Sequence, residues 1–289
     1  MSFATALFEH DFLRVVALAA LIAAVSGGVV GTIVVTRRLA FLAGGIAHAT
    51  LGGMGVAQWA GLDPLGGATV AAVMAALLIG IAAHSGHERE DMLIGAIWAI
   101  GMAVGLIAIA HTPGYQTDLM TYLLGNLLMV TAQDVAVMAG LMAFVLALLF
   151  LFWRPVVATM FDDEFATTRG LPTLAIQLAV LVAIALVVVV LLRAVGLVLV
   201  MALLTLPTAT AGVFTHTLGR LMAASAVAAL LAMWLGLEMA LRTDSPTGAS
   251  IVLSAAMLYV AALSYRRLRQ TRNRSQDQHR NIRLQTHNQ

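Results

Sequence analysis

The sequence predicts an all-α integral membrane protein, a bundle of about nine transmembrane helices, with eight or ten as alternatives. Of its 289 residues, 61% are hydrophobic and only 10% are charged, whereas soluble domains average about 25% charged residues. The mean hydropathy is +0.95. The apolar residues fall into runs of about 20, the length that a helix needs to cross the hydrocarbon core of a bilayer. Most of the chain is therefore expected to lie in lipid.

The predicted spans follow one another with short connections. They occupy residues 15–35, 39–60, 64–83, 92–111, 133–152, 173–192, 195–214, 221–241 and 248–264. The segment 118–130 is too short to cross a bilayer and predicts an interfacial or half-buried helix. Glu9 and Asp11 precede the first span without a basic segment, which is unlike a cleavable signal peptide. The first span is therefore expected to be retained.

The positive charges predict the orientation in the membrane. All of them are arginines, and a cytoplasmic C-terminus leaves only Arg14, Arg193 and Arg242 on the outer side, as the positive-inside rule favours. The N-terminus is then periplasmic. The chain divides into a transmembrane domain, 1–265, and a basic tail, 266–289, which lacks apolar periodicity. We expect this tail to be a disordered cytoplasmic extension near anionic lipid, with binding of nucleic acid or a regulator as the alternative.

Few groups in the predicted spans could bind a metal ion. The chain has no cysteine, which excludes thiolate ligands and disulfides. His48 lies near the middle of the second span, Glu238 near the end of the eighth, and His111 and Asp118 near the outer boundary. Intramembrane ionisable groups usually face a bundle interior or a pathway, and neutral imidazole is a common metal ligand. The alternative for His48 is a neutral ring bonded to a backbone carbonyl or a hydroxyl on a neighbouring helix, and spacing alone favours this alternative.

The second span is unusually rich in glycine, and two interpretations of that richness remain open. Its glycines are Gly44, Gly45, Gly52, Gly53 and Gly55. Small residues let membrane helices approach closely, which is the favoured interpretation. A glycine-rich run also permits the unwound helices in which some transporters bind their substrate, and neither interpretation excludes the other.

Two further features bear on how the chain could work. Pro207 lies inside the seventh span, where it removes one helix hydrogen bond and predicts a kink beside threonine hydroxyls. The loop 153–172 carries an acidic trio that can cap a short helix ending near Arg169 and Gly170. Such a helix could be held by a cytosolic partner, or the loop could be a solvated linker. The chain contains no G-x-x-x-x-G-K-[ST] loop, so ATP hydrolysis would need a separate subunit.

Five segments in order resemble the membrane subunit of the zinc/manganese/iron ABC importers. They are "RRLAFLAGGIAHATLGGMGVA", "YLLGNLLMVTAQD", "RPVVATMFDDEFATTRGLP", "AVGLVLVMALLTLPTATA" and "SPTGASIVL". The resemblance extends from about residue 15 to 265. It implies a permease of the vitamin B12 permease-like type in a bacterial inner membrane. The implied activity is ATP-driven import of a divalent transition metal by alternating access, with zinc first and manganese or iron next, and no permanently bound cofactor.

The resemblance also implies partners and functional residues. The partners are a second copy of the chain, cytosolic ABC ATPases, an extracytoplasmic metal-binding protein and membrane lipid, and no nucleic acid. A cytoplasmic coupling helix of the family, which docks on the ATPase, would comprise Asp162, Asp163, Glu164, Phe165, Ala166, Arg169 and Gly170. The glycines Gly44, Gly45, Gly52 and Gly53 and Pro207 are assigned to the pathway or its hinges.

The chain departs from the family at one position of the metal path. Many members carry Asp-x-x-x-His in the second span, which places both ligands on one helix face. His48 matches the histidine, but Gly44 replaces the carboxylate. This sequence resembles a Gly-Gly variant of the family. His48 would then need further ligands, with Glu238, Asp118 and His111 as candidates.

Two other functions remain as alternatives. The first is a permease for a chelated metal or a cobalamin-like compound, which is expected to have about ten spans and a wider path. The second is a secondary transporter that needs no ATPase. Such proteins often show internal repeats or a charged pair at mid-membrane, and the sequence shows no convincing repeat.

Overall fold

A computed structural model describes residues 11–85, 90–112, 125, 127–215 and 217–286. Within these residues the regular elements are α-helices and one turn of 3₁₀-helix. The α-helices, numbered here in chain order, are α1 (Asp11–Thr36), α2 (Ala40–Trp59), α3 (Pro64–Ser85), α4 (Glu90–Ala110), α5 (Ala132–Leu151), α6 (Trp153–Phe161), α7 (Asp163–Thr168), α8 (Thr173–Ala211), α9 (Leu218–Thr243) and α10 (Thr247–Thr286). The 3₁₀ turn is Leu127–Met129. The all-α fold class is confirmed.

The described residues contain nine segments that are long and apolar enough to cross a membrane, as the sequence predicted. Two of them, Thr173–Leu192 and Ala194–Ala211, lie in α8. Near the start of the second segment, Gly196 has φ of 74° and ψ of 168°, which break the helix. Glycine adopts this backbone conformation without steric cost. The single long element α8 therefore supplies the sixth and seventh spans.

The core of the bundle is centred on α8. This helix packs against α1, α2, α3, α5, α9 and α10, and most of the side chains between Val180 and Leu204 are buried. The first span, α1, packs against α8 and against α9. Contacts between residues this far apart in sequence bring the first span to the centre of the molecule.

Pro207 lies inside the helix without breaking it, because Gly196 has the only non-helical backbone angles in α8. Proline has no N–H, so the carbonyl of Leu203 loses its intrahelical donor. Gly27 of α1 lies against that carbonyl, since a Cβ placed on Gly27 would be 3.0 Å from the Leu203 oxygen. The hydroxyl of Thr205 donates to the carbonyl of Met201 at 2.7 Å. Close packing of α1 thus covers the backbone around the proline.

The last helix, α10, continues from the membrane span into the basic tail as far as Thr286. That 266–289 forms a disordered cytoplasmic extension stays a prediction. The span provides a formed helix end, so the tail adds residues without the cost of helix nucleation. Arginine, glutamine and leucine in the tail also have high helix propensity. Lack of apolar periodicity excluded a packed core in this segment, but it did not exclude a solvated helix.

Candidate functional site

His48 lies on α2 with its ring held on two sides. Nδ1 is 2.8 Å from the carbonyl oxygen of Gly44, one turn earlier. A carbonyl oxygen only accepts hydrogen bonds, so Nδ1 carries the hydrogen and Nε2 keeps a lone pair. A histidine that binds metal commonly donates its other ring N–H to a carbonyl or carboxylate in this way. The bond to a backbone carbonyl, expected if the ring were only structural, is therefore also the bond that prepares Nε2 for an ion.

Trp98 of α4 covers one face of the imidazole. The two ring centroids are 4.1 Å apart with an angle of 26° between the planes. Phe41 also contacts the indole, with a centroid distance of 6.0 Å. The indole limits rotation of the His48 ring and so sets the direction of Nε2. The sequence analysis missed Trp98, because nothing in the spacing of two residues 50 positions apart shows that they meet.

Close packing of glycines brings these two rings together. A Cβ on Gly52 would lie 2.8 Å from the carbonyl oxygen of Gly101, and one on Gly55 would lie 2.7 Å from that of Gly105. These pairs advance along α2 and α4 together, so the two helices are parallel. Gly53 makes a similarly close approach to Gly67 of α3. Cα–H groups facing carbonyl oxygens at such interfaces add weak hydrogen bonds.

The glycines of α2 are thus contact positions within an unbroken helix. The α-helix continues without interruption from Ala40 to Trp59, which argues against unwinding and supports the packing interpretation. Gly45 lies against Ile94, with 2.6 Å from its hypothetical Cβ to the Cγ2 atom. At Gly44, one turn before His48, the nearest atom to a Cβ would be the Cε of Met201, at 3.0 Å. A thioether from α8 therefore fills the space beside Gly44.

The other proposed ligands do not join His48 in the described part of the chain. The carboxylate of Glu238 pairs with Arg242 at 2.6 Å, and its helix α9 packs against α1, α8 and α10. Nδ1 of His111 is 2.8 Å from the carbonyl oxygen of Ile107. The 13 residues from Trp98 to His111 correspond to about 20 Å along α4, which is too far to share an ion. Asp118 lies outside the described residues.

His48 is accordingly a lone imidazole among the residues that the structure describes. No group of three or more histidine and carboxylate side chains that could hold a metal ion occurs among them. A single imidazole provides one strong ligand, and the remaining coordination positions of an ion would be filled by water, backbone oxygens or a second chain. This arrangement suits brief contact with a passing ion better than permanent binding.

The loop 153–172 contains the short helix that the sequence predicted. Asp162 accepts a hydrogen bond from the backbone N–H of Phe165 at 2.8 Å and so caps α7. Gly170, with φ of 77°, follows the helix end. Ala166 is buried, whereas Glu164, Phe165 and Arg169 are exposed. One face of the helix therefore packs against the bundle, and the other face is exposed to solvent.

The exposed face of α7 combines an aromatic ring with a charge. The guanidinium of Arg169 lies 5.0 Å from the centroid of the Phe165 ring, a cation–π arrangement. Phe165 is 52% exposed. A large aromatic side chain beside an arginine, both presented to solvent, is typical of a protein–protein contact.

If the chain transports metal, as the resemblance implies, replacing Trp98 with alanine should lower transport by about two- to tenfold. The stacked pair is worth about 0.5–1.5 kcal/mol, and Nε2 would lose its fixed direction. Trp98→Phe keeps an aromatic face and should retain most of the activity. Uptake of metal into proteoliposomes measures both variants. The matched control is Trp59→Ala, which removes an exposed indole from the end of the same helix that carries His48. Equal losses in Trp98→Ala and Trp59→Ala would contradict the role of the stack.

The fold places the chain among polytopic membrane proteins with a small exposed helix between two spans. The match of residues 9–266 to the ABC 3 transport family shows that the chain belongs to that family. The resemblance found in the sequence is thereby confirmed.

Individual relatives are similar in sequence to this chain over nearly their whole length. An uncharacterized membrane protein of Synechocystis sp. is 37% identical over 259 residues, covering 90% of this chain and 92% of that protein. The manganese transport system membrane protein MntC of Halalkalibacterium halodurans is 32% identical over 259 residues, covering 90% and 89%. Among solved structures, PsaBC from Streptococcus pneumoniae in complex with Fab contains a similar chain, with a TM-score of 0.81, 29% identity and coverage of 90% and 94%.

Proposed function

We propose that this chain is the permease subunit of an ATP-driven importer that moves a divalent transition metal across a bacterial inner membrane. The observation that carries the proposal is the family match over residues 9–266, which includes both the His48 helix and α7. An imidazole with a free Nε2 inside the bundle is the chemistry that such a path requires. Membership of an ABC family argues against the alternative of a secondary transporter without an ATPase.

The cargo that we propose is manganese or zinc. The relative from Halalkalibacterium halodurans is named as a manganese transport protein, which favours manganese. The residues alone predicted zinc, because imidazole suits zinc whereas carboxylate and carbonyl oxygens suit manganese. We place manganese first on the strength of the relative, followed by zinc and then iron. A chelated metal or cobalamin-like cargo is disfavoured, since the described residues contain nine candidate spans where such permeases would have about ten.

The proposed assembly contains two copies of this chain, two cytosolic ATPases and an extracytoplasmic metal-binding protein. The N-terminus would be periplasmic and the C-terminal helix cytoplasmic, as the arginine distribution favours. Each α7 would dock on one ATPase through the face that carries Glu164, Phe165 and Arg169. ATP binding and hydrolysis would then shift the spans between outward and inward access, and His48 would contact the ion in transit.

The docking surface can be tested by reversing two of its charges. The double variant Glu164→Arg and Arg169→Glu is expected to lose most co-purification of the ATPase, because the exposed face would no longer match the charges of its partner. Metal uptake should fall with it. Arg220→Glu, which reverses an exposed charge on the different helix α9, serves as the matched control. Wild-type ATPase association in the double variant would overturn the assignment of α7.

The cargo is tested by measuring cellular manganese, zinc and iron in metal-starved cells with and without the gene. We expect the manganese content to fall when the protein is absent and to recover on complementation. A selective loss of zinc would reverse our order of cargo. Unchanged contents of all three metals would overturn the proposed function.

A further inference from the structure

The carboxylate of Asp163 on the buried side of α7 meets two side chains from the bundle. The amide Nε2 of Gln177, in the first turns of α8, donates a hydrogen bond to its Oδ2. A guanidinium nitrogen of Arg37 lies 4.0 Å from the same oxygen. We call Arg37, Asp163 and Gln177 the Asp163 cluster. It joins α7, α8 and the turn that leads into α2.

The ion pair in this cluster is loose in the structure. A charge-assisted hydrogen bond between guanidinium and carboxylate is about 2.7–2.9 Å long, so Arg37 is about 1 Å beyond that contact. The other oxygen, Oδ1, is buried and has no hydrogen-bond partner among the described residues. Asp163 can therefore accept more bonds than it has.

There is room beside the cluster for Arg37 and α7 to move. A cavity of about 390 Å³ is lined by all three residues of the cluster, by His84 of α3 and by Leu42 of α2. Arg37 is 17% exposed and Asp163 is 44% exposed at their side chains. Partly exposed pairs of this kind contribute little to folding stability. The contacts of the cluster instead join three elements of the fold.

Arg37 occupies a useful position for transmitting movement. It lies three residues before Ala40, where α2 begins, and α2 carries His48. A displacement of α7 that pulls on Arg37 through Asp163 would act directly on the end of α2. Gln177 would pull on α8. Because α8 packs against α2, this movement would also reach the helix of His48. No other ion pair between α7 and the bundle is found among the described residues.

We propose that the Asp163 cluster couples α7 to the helix of His48, so that its charge pair is required for metal movement but not for ATPase docking. The residues of the cluster are positioning residues, since none of them touches the ion. This inference rests on the proposed function, because it takes α7 as the docking site of an ATPase. It assigns to the inner face of α7 a role distinct from that of the outer face.

The test uses the complete transporter, with its ATPase and binding protein, in proteoliposomes. Asp163→Asn keeps an acceptor for Gln177 but removes the charge that attracts Arg37, and Arg37→Gln removes the other charge. We expect Arg37→Gln, whose position lies outside α7, to retain ATPase co-purification and ATP hydrolysis. Metal transported per ATP should fall by about fivefold or more, within the range typical of coupling between sites. Arg38→Gln is the matched control, since it removes the same charge from the neighbouring residue.

The charge-swapped variant, Arg37→Asp with Asp163→Arg, decides between coupling and simple structural damage. If attraction between the two positions matters, the swap should restore at least half of the metal transported per ATP. Recovery would not follow if either side chain acted by packing alone, so failure of the swap to recover would overturn the proposal. Normal coupling in Asp163→Asn would also overturn it. Absence of both transport and ATPase association in the wild type would instead refute the proposed function.

Discussion

Substitution of His48 by alanine is expected to lower metal uptake at least about tenfold, which corresponds to about 1.4 kcal/mol. The substitution removes the lone pair of Nε2, which the hydrogen bond from Nδ1 to the Gly44 carbonyl leaves available. His48 belongs to no group of three or more histidine and carboxylate side chains among the described residues, so no ready-made cluster would replace it. The measurement is initial uptake of manganese and zinc into proteoliposomes that contain the complete transporter.

His111 provides a matched comparison for that experiment. Its ring makes the same hydrogen bond, from Nδ1 to the carbonyl four residues earlier, at 2.8 Å. However, His111 is exposed and lies about 20 Å along the helix direction from Trp98, the residue that stacks on His48. His111→Ala should leave uptake unchanged. ATPase association and thermal stability should be normal in both variants. If uptake is also normal in His48→Ala, the ring has only a packing role and the metal path lies elsewhere.

Substitution of Gly52 by alanine is expected to destabilise the protein by about 1–3 kcal/mol, the usual cost of overpacking a close contact. The added Cβ would lie 2.8 Å from the carbonyl oxygen of Gly101 and 3.2 Å from its Cα. These are backbone atoms, which cannot turn aside as a side chain can. Helices α2 and α4 must therefore separate. The thermal unfolding midpoint of the purified protein measures the effect.

Gly95 is the matched control on the partner helix. A Cβ there would meet no atom within 4 Å, so Gly95→Ala should be neutral or stabilise the helix by about 0.5–1 kcal/mol. Separation of α2 and α4 should also weaken the contact between His48 and Trp98, so Gly52→Ala should reduce uptake as well as stability. Equal midpoints for the two variants would contradict the packing role of the glycines.

The spans and the short helix α7 are the parts of the fold that local features of the sequence could predict. The length of each apolar run and the roughly 30 Å of hydrocarbon that it must cross predicted the spans, and the nine segments found among the described residues agree. The acidic cap and Gly170 predicted α7 for a similarly local reason. At His48 the sequence could offer two interpretations but not choose between them. The surroundings of the ring depend on Trp98 and Met201, which belong to other helices.

Where the sequence alone failed, the missing information concerned contacts between distant segments or the continuation of a helix. The order of apolar runs does not specify that α2 and α4 are parallel neighbours, so the contact between Gly52 and Gly101 could not be predicted. Likewise, the inner face of α7, which carries Asp163, could not be distinguished from its outer face. The composition of the basic tail did not indicate how far the helix of the last span continues, which is to Thr286.

Sequence by itself determined the class of protein, the spans that the described residues contain, the short helix α7 and the family. These properties follow from local hydropathy, capping residues and matched segments, each of which is contained in a short stretch of chain. Tertiary structure alone decided the surroundings of His48, the purpose of the glycines and the contacts of Asp163. The physical reason is that packing in a membrane depends on close contact between helices. Such contacts join residues whose spacing along the chain does not predict that they meet.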